Sequence, residues 1–318
     1  MNRIAGIFDL ARSGGSLGTL LILLEELEIQ RRIQLAEAVE VVLVADAKDL
    51  ALGIQRERAH APGVAGLPRS ANVSTLMTVV RAMSGVTGCH ACFDRSALDE
   101  VMGLVRGGCA LWPDPATLVA GGHSYDSTAS IQEFHARTGS IPRLSVSAAR
   151  LALARSYLSA KAGGRLAVAV HLKNNPAVSG QSNADLASWH AFISSCRRDV
   201  PAHFFLIGDD ATNADFRALP NVTVALDDGI AIDGYLALIQ AAGLFMGMMS
   251  GPANMALFGG NPYLIFKHPD HHAEAMALEL GEADHYAFAL PGQRVLRIRD
   301  TTENLVRAFA SVTQKVSA

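Results

Sequence analysis

A Ser-Gly-Pro turn is the stretch of this sequence whose residue types point most directly to chemistry. Ser250, Gly251 and Pro252 follow the apolar run Leu244–Met248 and precede a short helical pattern. Serine suits the position just before a helix, and a proline in the first turn lacks an N–H that would have no partner there. The remaining amide N–H groups can bind an anion, so Ser250, Gly251 and Asn254 are predicted to bind phosphate. An ordinary capped helix is the alternative interpretation.

A second polar group follows another apolar run of strand length. His171, Lys173 and Asn174 end the run that starts at Leu166. Ligands of α/β proteins bind where the carboxyl ends of parallel strands meet, so these three residues are predicted to share a site with the Ser250 turn. Lys173 would supply a cation that neutralises the negative charge gained by a leaving group. The alternative is a solvated lysine in a polar loop.

Acidic residues end the next two predicted strands. Gly208 and Asp209 follow the run at 203–207, and Asp227 follows the run at 222–226. Carboxylates at these ends could accept hydrogen bonds from a ribose or a base, but an aspartate before a helix also serves as a cap. Both interpretations remain open for the two acidic positions.

A glycine-rich loop precedes the first predicted helix. Gly14, Gly15 and Ser16 belong to it, and the next glycine is Gly18. This spacing is not the G-x-G-x-x-G pattern of dinucleotide-binding proteins. The loop is predicted either to face a ligand or to form a tight turn that only packs against its surroundings.

Two other clusters resemble metal sites at first sight. The first is His268, Asp270, His271 and His272, which Pro269 interrupts. Adjacent histidines diverge if they are helical, so these residues are expected to line the entrance of a site and not to hold a metal. The second is a lone C-x-x-C, Cys89 and Cys92, without the further ligands that zinc needs, and core thiols are predicted.

The elements that position these residues alternate regularly between strand and helix. Strands separated by helical patterns of 10–15 residues predict parallel sheets with helices on both faces. The fold class is therefore α/β, with two Rossmann-like, doubly wound domains facing a cleft. The predicted strands are 4–8, 39–45, 87–93, 109–112, 166–172, 203–207, 222–226, 244–248, 263–266 and 295–298. The predicted helices are 16–32, 73–83, 96–106, 127–138, 145–161, 183–198, 233–242, 253–258 and 302–316.

The predicted domain boundary lies where large apolar residues become scarce. The predicted domains are 1–145 and 146–318, with the terminal helix able to pack back on the first domain. Half of the residues are hydrophobic and 18% are charged, which supports large cores. The net charge of −3 gives no reason to expect nucleic acid as a partner.

Residues 17–27 are too short to span a bilayer and no secretory signal is recognised, so a cytoplasmic location is expected.

Four stretches together resemble GT-B glycosyltransferases, specifically heptosyltransferase-like and fucosyltransferase-like enzymes. The segment from 238 to 266 is similar to their strand, Ser-Gly or Ser-Ser turn and short helix. Residues 167–174 (AVAVHLKN) resemble the His-x-Arg strand end of fucosyltransferases, and residues 204–209 the strand after it. Residues 8–21 loosely resemble the amino-terminal loop of heptosyltransferases.

The resemblance implies transfer of a sugar from a nucleotide diphosphate sugar to a glycan, lipid or protein acceptor, with domain 1–145 on the acceptor side and domain 146–318 binding the nucleotide sugar. It implies no metal and no cofactor besides the donor, a donor of the hexosyl, deoxyhexosyl or heptosyl class, and at most peripheral contact with a membrane. Gly14, Gly15, Ser16, His171, Lys173, Asn174, Gly208, Asp209, Asp227, Ser250, Gly251 and Asn254 are the predicted donor-binding residues.

Catalysis requires a base near the acceptor hydroxyl. Asp9, at the end of the first strand, is the candidate, with His90 and His123 behind it. Lys173 is the second predicted catalytic residue, although the fucosyltransferases have an arginine there, whose bidentate fork a lysine lacks. Heptosyltransferases carry an acidic residue after the loop glycine, where this chain has Thr19. The missing arginine and the unassigned base keep open a binding module that has lost catalysis, and a sugar-nucleotide epimerase, which shares the architecture, is the other alternative.

Overall fold

The computed structural model describes residues 2–45, 73–93, 103, 109–114, 116–117, 122–175, 180–199, 201–208 and 214–313. The chain divides into two compact units, Met1–Ser145 and Val146–Ala318. Each unit is built on a parallel sheet flanked by helices, which confirms the predicted α/β class with two Rossmann-like units. None of the described helices is both long and apolar enough to cross a membrane.

The first unit contains a four-stranded sheet among its described residues. Its strands are β1 (Arg3–Asp9), β2 (Ala38–Val44), β3 (Val86–Cys92) and β4 (Cys109–Trp112), in the order β3-β2-β1-β4. All paired strands are parallel. The helices described in this unit are α1 (Leu10–Ser13), α2 (Leu17–Ile33), α3 (Val73–Ala82) and α4 (Ala129–Thr138). The chain reverses its direction of strand addition between β1 and β4, so the end of β1 is the switch point of this sheet.

Helix α2 carries two carboxyl groups into the interior of the first unit. Glu25 accepts a hydrogen bond from the N–H of Arg143 at 3.1 Å. Glu26 accepts one from the Ser130 hydroxyl at 2.5 Å and one from the Trp112 indole at 3.2 Å. Burial is the main cause that raises the pKa of Glu25 to about 8 and that of Glu26 to about 7. The helix is therefore buried around most of its circumference and not along a single apolar stripe.

The second unit contains a six-stranded parallel sheet. Its strands are β5 (Leu166–His171), β6 (Ala202–Ile207), β7 (Val222–Val224), β8 (Leu244–Met248), β9 (Tyr263–Phe266) and β10 (Gln293–Leu296). They lie in the order β10-β9-β8-β5-β6-β7. Counted from the first strand of the unit, this is the 3-2-1-4-5-6 order of doubly wound Rossmann sheets. The order reverses between β5 and β8, which makes their carboxyl ends the switch point.

Seven helices are described in the second unit, and they cover its sheet. They are α5 (Ala148–Ala162), α6 (Leu186–Asp199), α7 (Ala214–Arg217), α8 (Ile232–Ala241), α9 (Gly251–Leu257), α10 (Ala273–Leu280) and α11 (Thr302–Thr313). An aromatic core joins α6, α11 and one face of the sheet; it includes Trp189, Phe192, Phe204, Phe266 and Phe309. The described part of the last helix thus packs within its own unit.

Several elements differ from the sequence prediction. The strand predicted at 222–226 ends at Val224, because Ala225–Asp228 forms a 3-10 turn. Helix α10 was not predicted. The helix predicted at 96–106 lies mostly outside the described residues, and the last residues of the terminal helix lie outside them as well.

Candidate functional site

The ends of three neighbouring strands of the second unit form the candidate site. Residue pairing across the sheet places His171 opposite Gly247 on β8, and Met248 opposite Phe266 on β9. Ligands of doubly wound sheets bind outside the carboxyl ends of the strands where the strand order reverses. The residues that follow β5, β8 and β9 therefore belong to one group at this edge of the sheet. We call His171, Lys173, Ser250 and Lys267 the switch-point site.

His171 is enclosed by glycines on both neighbouring strands. A Cβ on Gly208 would lie 2.7 Å from its Cδ2 and 2.9 Å from its Nε2, and a Cβ on Gly247 would collide with its backbone carbonyl. Gly208 has a φ of +95°, a conformation that favours glycine. Burial, reinforced by the positive charge of Lys173, lowers the pKa of His171 to about 4. The imidazole is thus neutral at pH 7 and contributes hydrogen bonding, not charge.

Ser250 precedes α9 but does not cap it. Its backbone is extended, and its side chain makes no hydrogen bond to the helix. Its Oγ instead shares a hydrogen bond of 2.9 Å with His171 Nδ1. Gly251 and Asn254, the other predicted phosphate ligands of this turn, lie on α9 and are half-buried. The Ser250 side chain therefore ties the end of β8 to the end of β5.

Lys173 lies two residues beyond β5 in a loop that is held in place. Its backbone carbonyl accepts a hydrogen bond from Ala184 N–H at 2.7 Å. Asn175 N–H donates to the Asn183 side chain at 3.0 Å, and the Asn183 amide donates back to the Asn175 carbonyl at 2.9 Å. Burial lowers the pKa of Lys173. Its neighbour Asn174 is exposed.

Lys267 is a site residue that the sequence analysis passed over. It follows β9 directly, and only 9% of its surface is exposed. Burial, with the positive charge of Lys173 as the second cause, lowers the pKa of Lys267 to about 8, against the opposing effect of Glu279. Its position directly after a strand of the same βαβ unit is the signal that could have identified it.

The histidines after Lys267 do not form a metal site. His271 and His272 meet edge to face with ring centroids 4.3 Å apart, and His268 Nδ1 lies 3.7 Å from an Asp270 carboxylate oxygen. Burial, followed by the charge of Lys267, lowers the pKa of His271 to about 4. Among the described residues, no three His, Cys, Asp or Glu side chains are grouped so that they could hold a metal.

The acidic positions after β6 and β7 differ from each other. Asp209 lies outside the described residues. Asp227 is exposed, and its carboxylate accepts two hydrogen bonds from Arg217, at 2.6 and 2.8 Å. The bond from Arg217 is the main cause that lowers the pKa of Asp227. Its carboxylate therefore has an ion-pair partner within its own unit.

Asp9 ends β1 at the switch point of the first sheet. Its Oδ1 accepts a hydrogen bond from Ala11 N–H at 3.0 Å, so that Asp9 caps α1. Its Oδ2 lies 3.6 Å from Arg12 Nε. Near the same end of β1, the Tyr125 hydroxyl donates a hydrogen bond to the Ile7 carbonyl at 2.7 Å. The carboxylate is thus buried, oriented and close to a cation.

The glycine-rich loop of the first unit is a tight turn. Gly14 and Gly15 have φ values of +67° and +61°, which suit glycine. Ser16 caps α2, since its Oγ accepts a hydrogen bond from Thr19 N–H at 3.1 Å. Contact of this loop with a ligand stays a prediction.

The two histidines proposed behind Asp9 have different surroundings. His90 Nε2 lies 3.5 Å from a Glu40 carboxylate oxygen on the neighbouring strand. His123 Nε2 lies 3.4 Å from Glu26, and burial lowers the pKa of His123. The four cysteines are free thiols, and burial raises the pKa of Cys89 to about 11.

Solved structures of glycosyltransferases share this fold. The family 9 glycosyl transferase from Veillonella parvula DSM 2008 matches with a TM-score of 0.61 and 12% identity, over 99% of this chain and 97% of that one. The E. coli ADP-heptose LPS heptosyltransferase II matches with a TM-score of 0.57 and 11% identity over the full length of both chains. No protein-family profile and no curated protein sequence matches the chain. The likeness confirms, at the level of the fold, the predicted resemblance to GT-B glycosyltransferases.

Proposed function

We propose that this chain is a glycosyltransferase that moves a sugar from a nucleotide diphosphate sugar to a glycan, lipid or protein acceptor, without a metal ion. The observation that carries the proposal is the hydrogen bond between Ser250 and His171 at the switch point of a Rossmann sheet, with the half-buried Lys173 two residues beyond His171. The fold shared with two glycosyltransferases supports it.

The chemistry assigned to the second unit is stabilisation of the leaving diphosphate. Negative charge grows on the diphosphate as the glycosidic bond breaks, and an ammonium held in a partly dry site offsets that charge. Lys173 supplies the ammonium, and Ser250 with the amide groups of Gly251 and its neighbours supplies hydrogen bonds. His171 is a positioning residue, because it is neutral and fixes the Ser250 hydroxyl.

The chemistry assigned to the first unit is proton removal from the acceptor hydroxyl. Asp9 is the proposed base, since it ends the strand at the switch point of its sheet. The Ala11 N–H and Arg12 orient its carboxylate. Proton transfer to a positioned carboxylate contributes a factor of about 10²–10⁴ to such reactions.

The donor we propose carries a hexosyl, deoxyhexosyl or heptosyl group. One of the two glycosyltransferases named above is by its description an ADP-heptose enzyme. We further propose a cytoplasmic location, with peripheral membrane contact when the acceptor is a lipid. The four free thiols are in keeping with a reducing compartment.

A nucleotide-sugar-binding module without transferase activity is the second candidate. The observation that favours it is that capping α1 and the proximity of Arg12 are enough to account for a buried carboxylate at Asp9 without a catalytic role. The lysine at position 173, where the fucosyltransferases have an arginine, also favours the binding module, because a lysine lacks the bidentate fork of a guanidinium.

Thermal shift measurements with ADP, GDP, UDP and CMP test the donor site. A ligand that binds the folded state raises the melting temperature, and one diphosphate is expected to do so more than the other nucleotides. Equal, flat responses to all four would remove the donor site. If a diphosphate binds, the matching sugar nucleotides are then assayed. Transfer or slow hydrolysis supports the enzyme, binding alone supports the module, and interconversion of the free sugar nucleotide supports an epimerase.

A further inference from the structure

Lys267 lies at the same edge of the second sheet as Lys173, since each follows the carboxyl end of a parallel strand. His171, Gly247 and Ile265 are opposite one another on β5, β8 and β9. The ladder between β8 and β9 continues two residues further along, because Met249 N–H donates to the carbonyl of Phe266 at 2.9 Å, and Lys267 follows Phe266 directly. Lys173 lies two residues beyond His171, the last residue of β5. The charge of Lys173 is the second cause that lowers the pKa of Lys267, so the two ammonium groups lie near each other at this edge of the sheet.

The Lys267 ammonium has an unusual environment for a buried cation. Neither it nor Lys173 has a carboxylate at ion-pair distance within the part of the chain that the structure describes. The charged and titratable groups that influence it are Lys173, His271 and Glu279. Glu279 lies on α10, and its carboxylate accepts a hydrogen bond of 2.6 Å from the Tyr286 hydroxyl. The balance of burial and neighbouring charge is against the protonated form, and the pKa of Lys267 falls to about 8.

A buried ammonium without an ion-pair partner is costly to the folded protein. Two ammonium groups that repel each other across a strand end add to that cost. Methionine would fill the same space without this penalty. An anion placed between the two lysines would offset both the desolvation and the repulsion, so the arrangement suits a ligand with negative charge on two neighbouring groups.

We propose that Lys267 is a second phosphate-binding cation, and that together with Lys173 it makes the switch-point site selective for diphosphates over monophosphates. This inference rests on the proposed function of the site. The strands that precede the two lysines, β5 and β9, are separated by β8 alone, which places the two strand ends roughly 10 Å apart. Side chains of lysine length can converge from that separation on the two phosphoryl groups of one ligand. The two ammonium groups would together take the place of the bidentate guanidinium that an arginine at position 173 would provide.

Proton uptake is the consequence that separates this role from a structural one. At pH 8 about half of the Lys267 side chains are neutral in the ligand-free protein. A bound diphosphate favours the ammonium, so binding at pH 8 should take up about half a proton from solution at this residue. Affinity for a diphosphate should accordingly decrease as the pH rises from 8 to 10.

The test is isothermal titration calorimetry of the full chain at pH 8, in two buffers of different ionisation enthalpy. Inorganic pyrophosphate and phosphate are the affinity probes that do not depend on the base. ADP, GDP and UDP with their monophosphates are the nucleotide probes, and protons are counted only with the nucleoside diphosphates, because inorganic pyrophosphate and phosphate release protons of their own near pH 8. The variants are Lys267→Met, which removes the charge, and Lys267→Arg, which keeps it. Lys161→Met is the matched control, since Lys161 forms a partly exposed ion pair with Asp228 at 2.8 Å in the same unit.

The Lys267 variants should affect binding of the diphosphate more than binding of the monophosphate. Lys267→Met should weaken binding of the diphosphate about ten- to hundredfold and that of the monophosphate much less, and should abolish most of the proton uptake. Lys267→Arg should retain most of the affinity and lose the uptake, because a guanidinium is protonated throughout. The control should behave like the unmodified chain.

Contrary outcomes are distinguishable. If Lys267→Met leaves diphosphate binding unchanged, or weakens diphosphate and monophosphate equally, Lys267 is not the second cation although the donor site stands. If neither a nucleotide diphosphate nor pyrophosphate binds, the proposed function fails together with this inference. If the methionine variant does not fold, the comparison of the unmodified chain with Lys267→Arg decides: equal proton uptake by the two proteins would show that the uptake does not arise at Lys267.

Discussion

Ser250 Oγ and His171 Nδ1 share a hydrogen bond of 2.9 Å between residues 79 positions apart in the chain. The bond joins the two strand ends at the switch point of the second sheet. Because His171 is buried and neutral, its nitrogen has little access to water if the serine hydroxyl is removed.

Replacing Ser250 by alanine should therefore affect both stability and binding. A buried polar group that loses its partner costs about 1–3 kcal/mol, which predicts a decrease of the melting temperature by several degrees. Diphosphate affinity should fall several-fold, because a hydrogen-bond donor is lost from the turn. Differential scanning calorimetry with and without the diphosphate measures both effects. Ser159→Ala, on the exposed face of α5, is the control, and an equal response of the two variants would contradict the role given to Ser250.

Replacing Lys173 by alanine should weaken diphosphate binding far more than nucleoside binding. An ammonium in a charge-assisted contact contributes enough to change the dissociation constant about tenfold or more. Titration calorimetry with the diphosphate and its nucleoside measures the difference. Lys161→Ala serves as the control for a general loss of positive charge. A loss of equal size for both ligands would mean that Lys173 acts elsewhere.

Replacing Gly208 by alanine should be much more harmful than the same change at Gly164. Both glycines have positive φ values, +95° and +82°, so each variant is subject to backbone strain of about 1–3 kcal/mol. Only at Gly208 does the added carbon collide with the His171 ring, whereas nothing lies within 4 Å at Gly164. Overpacking adds about 1–3 kcal/mol at Gly208. Urea denaturation should show this difference, and coinciding midpoints would show that the His171 ring moves aside freely.

Replacing Glu25 by glutamine should flatten the dependence of stability on pH. The pKa of Glu25 is about 8 in the folded protein and 4.5 in the reference state, so the folded state holds an extra proton between these values. The stabilisation is complete below pH 4.5 and is lost as the pH rises through 8. A glutamine has no such proton to lose, and can still accept the bond from the Arg143 N–H.

Melting temperatures between pH 5 and pH 9 measure that slope. The unmodified chain should lose several degrees over this range relative to Glu25→Gln. Glu274→Gln, at an exposed position of α10, is the control and should leave the slope unchanged. Parallel curves for all three proteins would show that Glu25 ionises in the folded state as it does in water.

Replacing Asp9 by asparagine should lower the rate of sugar transfer by about 10²–10⁴ with little change in donor affinity. Asparagine keeps an oxygen that can accept the bond from Ala11 N–H, so α1 should retain its cap. Rate measurements at saturating donor and acceptor, with calorimetric donor binding alongside, separate the two effects. Asp126→Asn, exposed in the same unit, is the control. An unchanged rate would assign the base to another residue.

The strands of the second unit were predictable because they are short, unbroken apolar runs with glycine or proline nearby. Leu244–Met248 and Tyr263–Phe266 agree with the prediction residue for residue. Helix α10 escaped prediction because its buried side chains are few, Met276 and Leu280, and Leu278 is exposed. No apolar stripe marks such a helix in the sequence.

The candidate site was predictable only in part, for a related reason. Capping is a local pattern, so the sequence favoured Ser250 as a cap, whereas the hydroxyl bonds to an imidazole on another strand. In the local sequence, Lys267 is only a polar residue that follows an apolar strand. Its burial depends on tertiary surroundings that the local sequence does not specify. The acidic side chains of α2 likewise gain their buried setting from partners such as Ser130 and Arg143, more than 100 residues away.

Gly247 offers a way to recognise uncharacterised relatives of this chain. Any larger residue there would place a carbon atom against the His171 carbonyl of the adjacent strand, and neither backbone can retreat without breaking the centre of the sheet. Selection should therefore tolerate exchange at many surface positions of the second unit and reject it here. A distant sequence that keeps glycine at this place, with a histidine on the partner strand, has retained the geometry on which Ser250 depends.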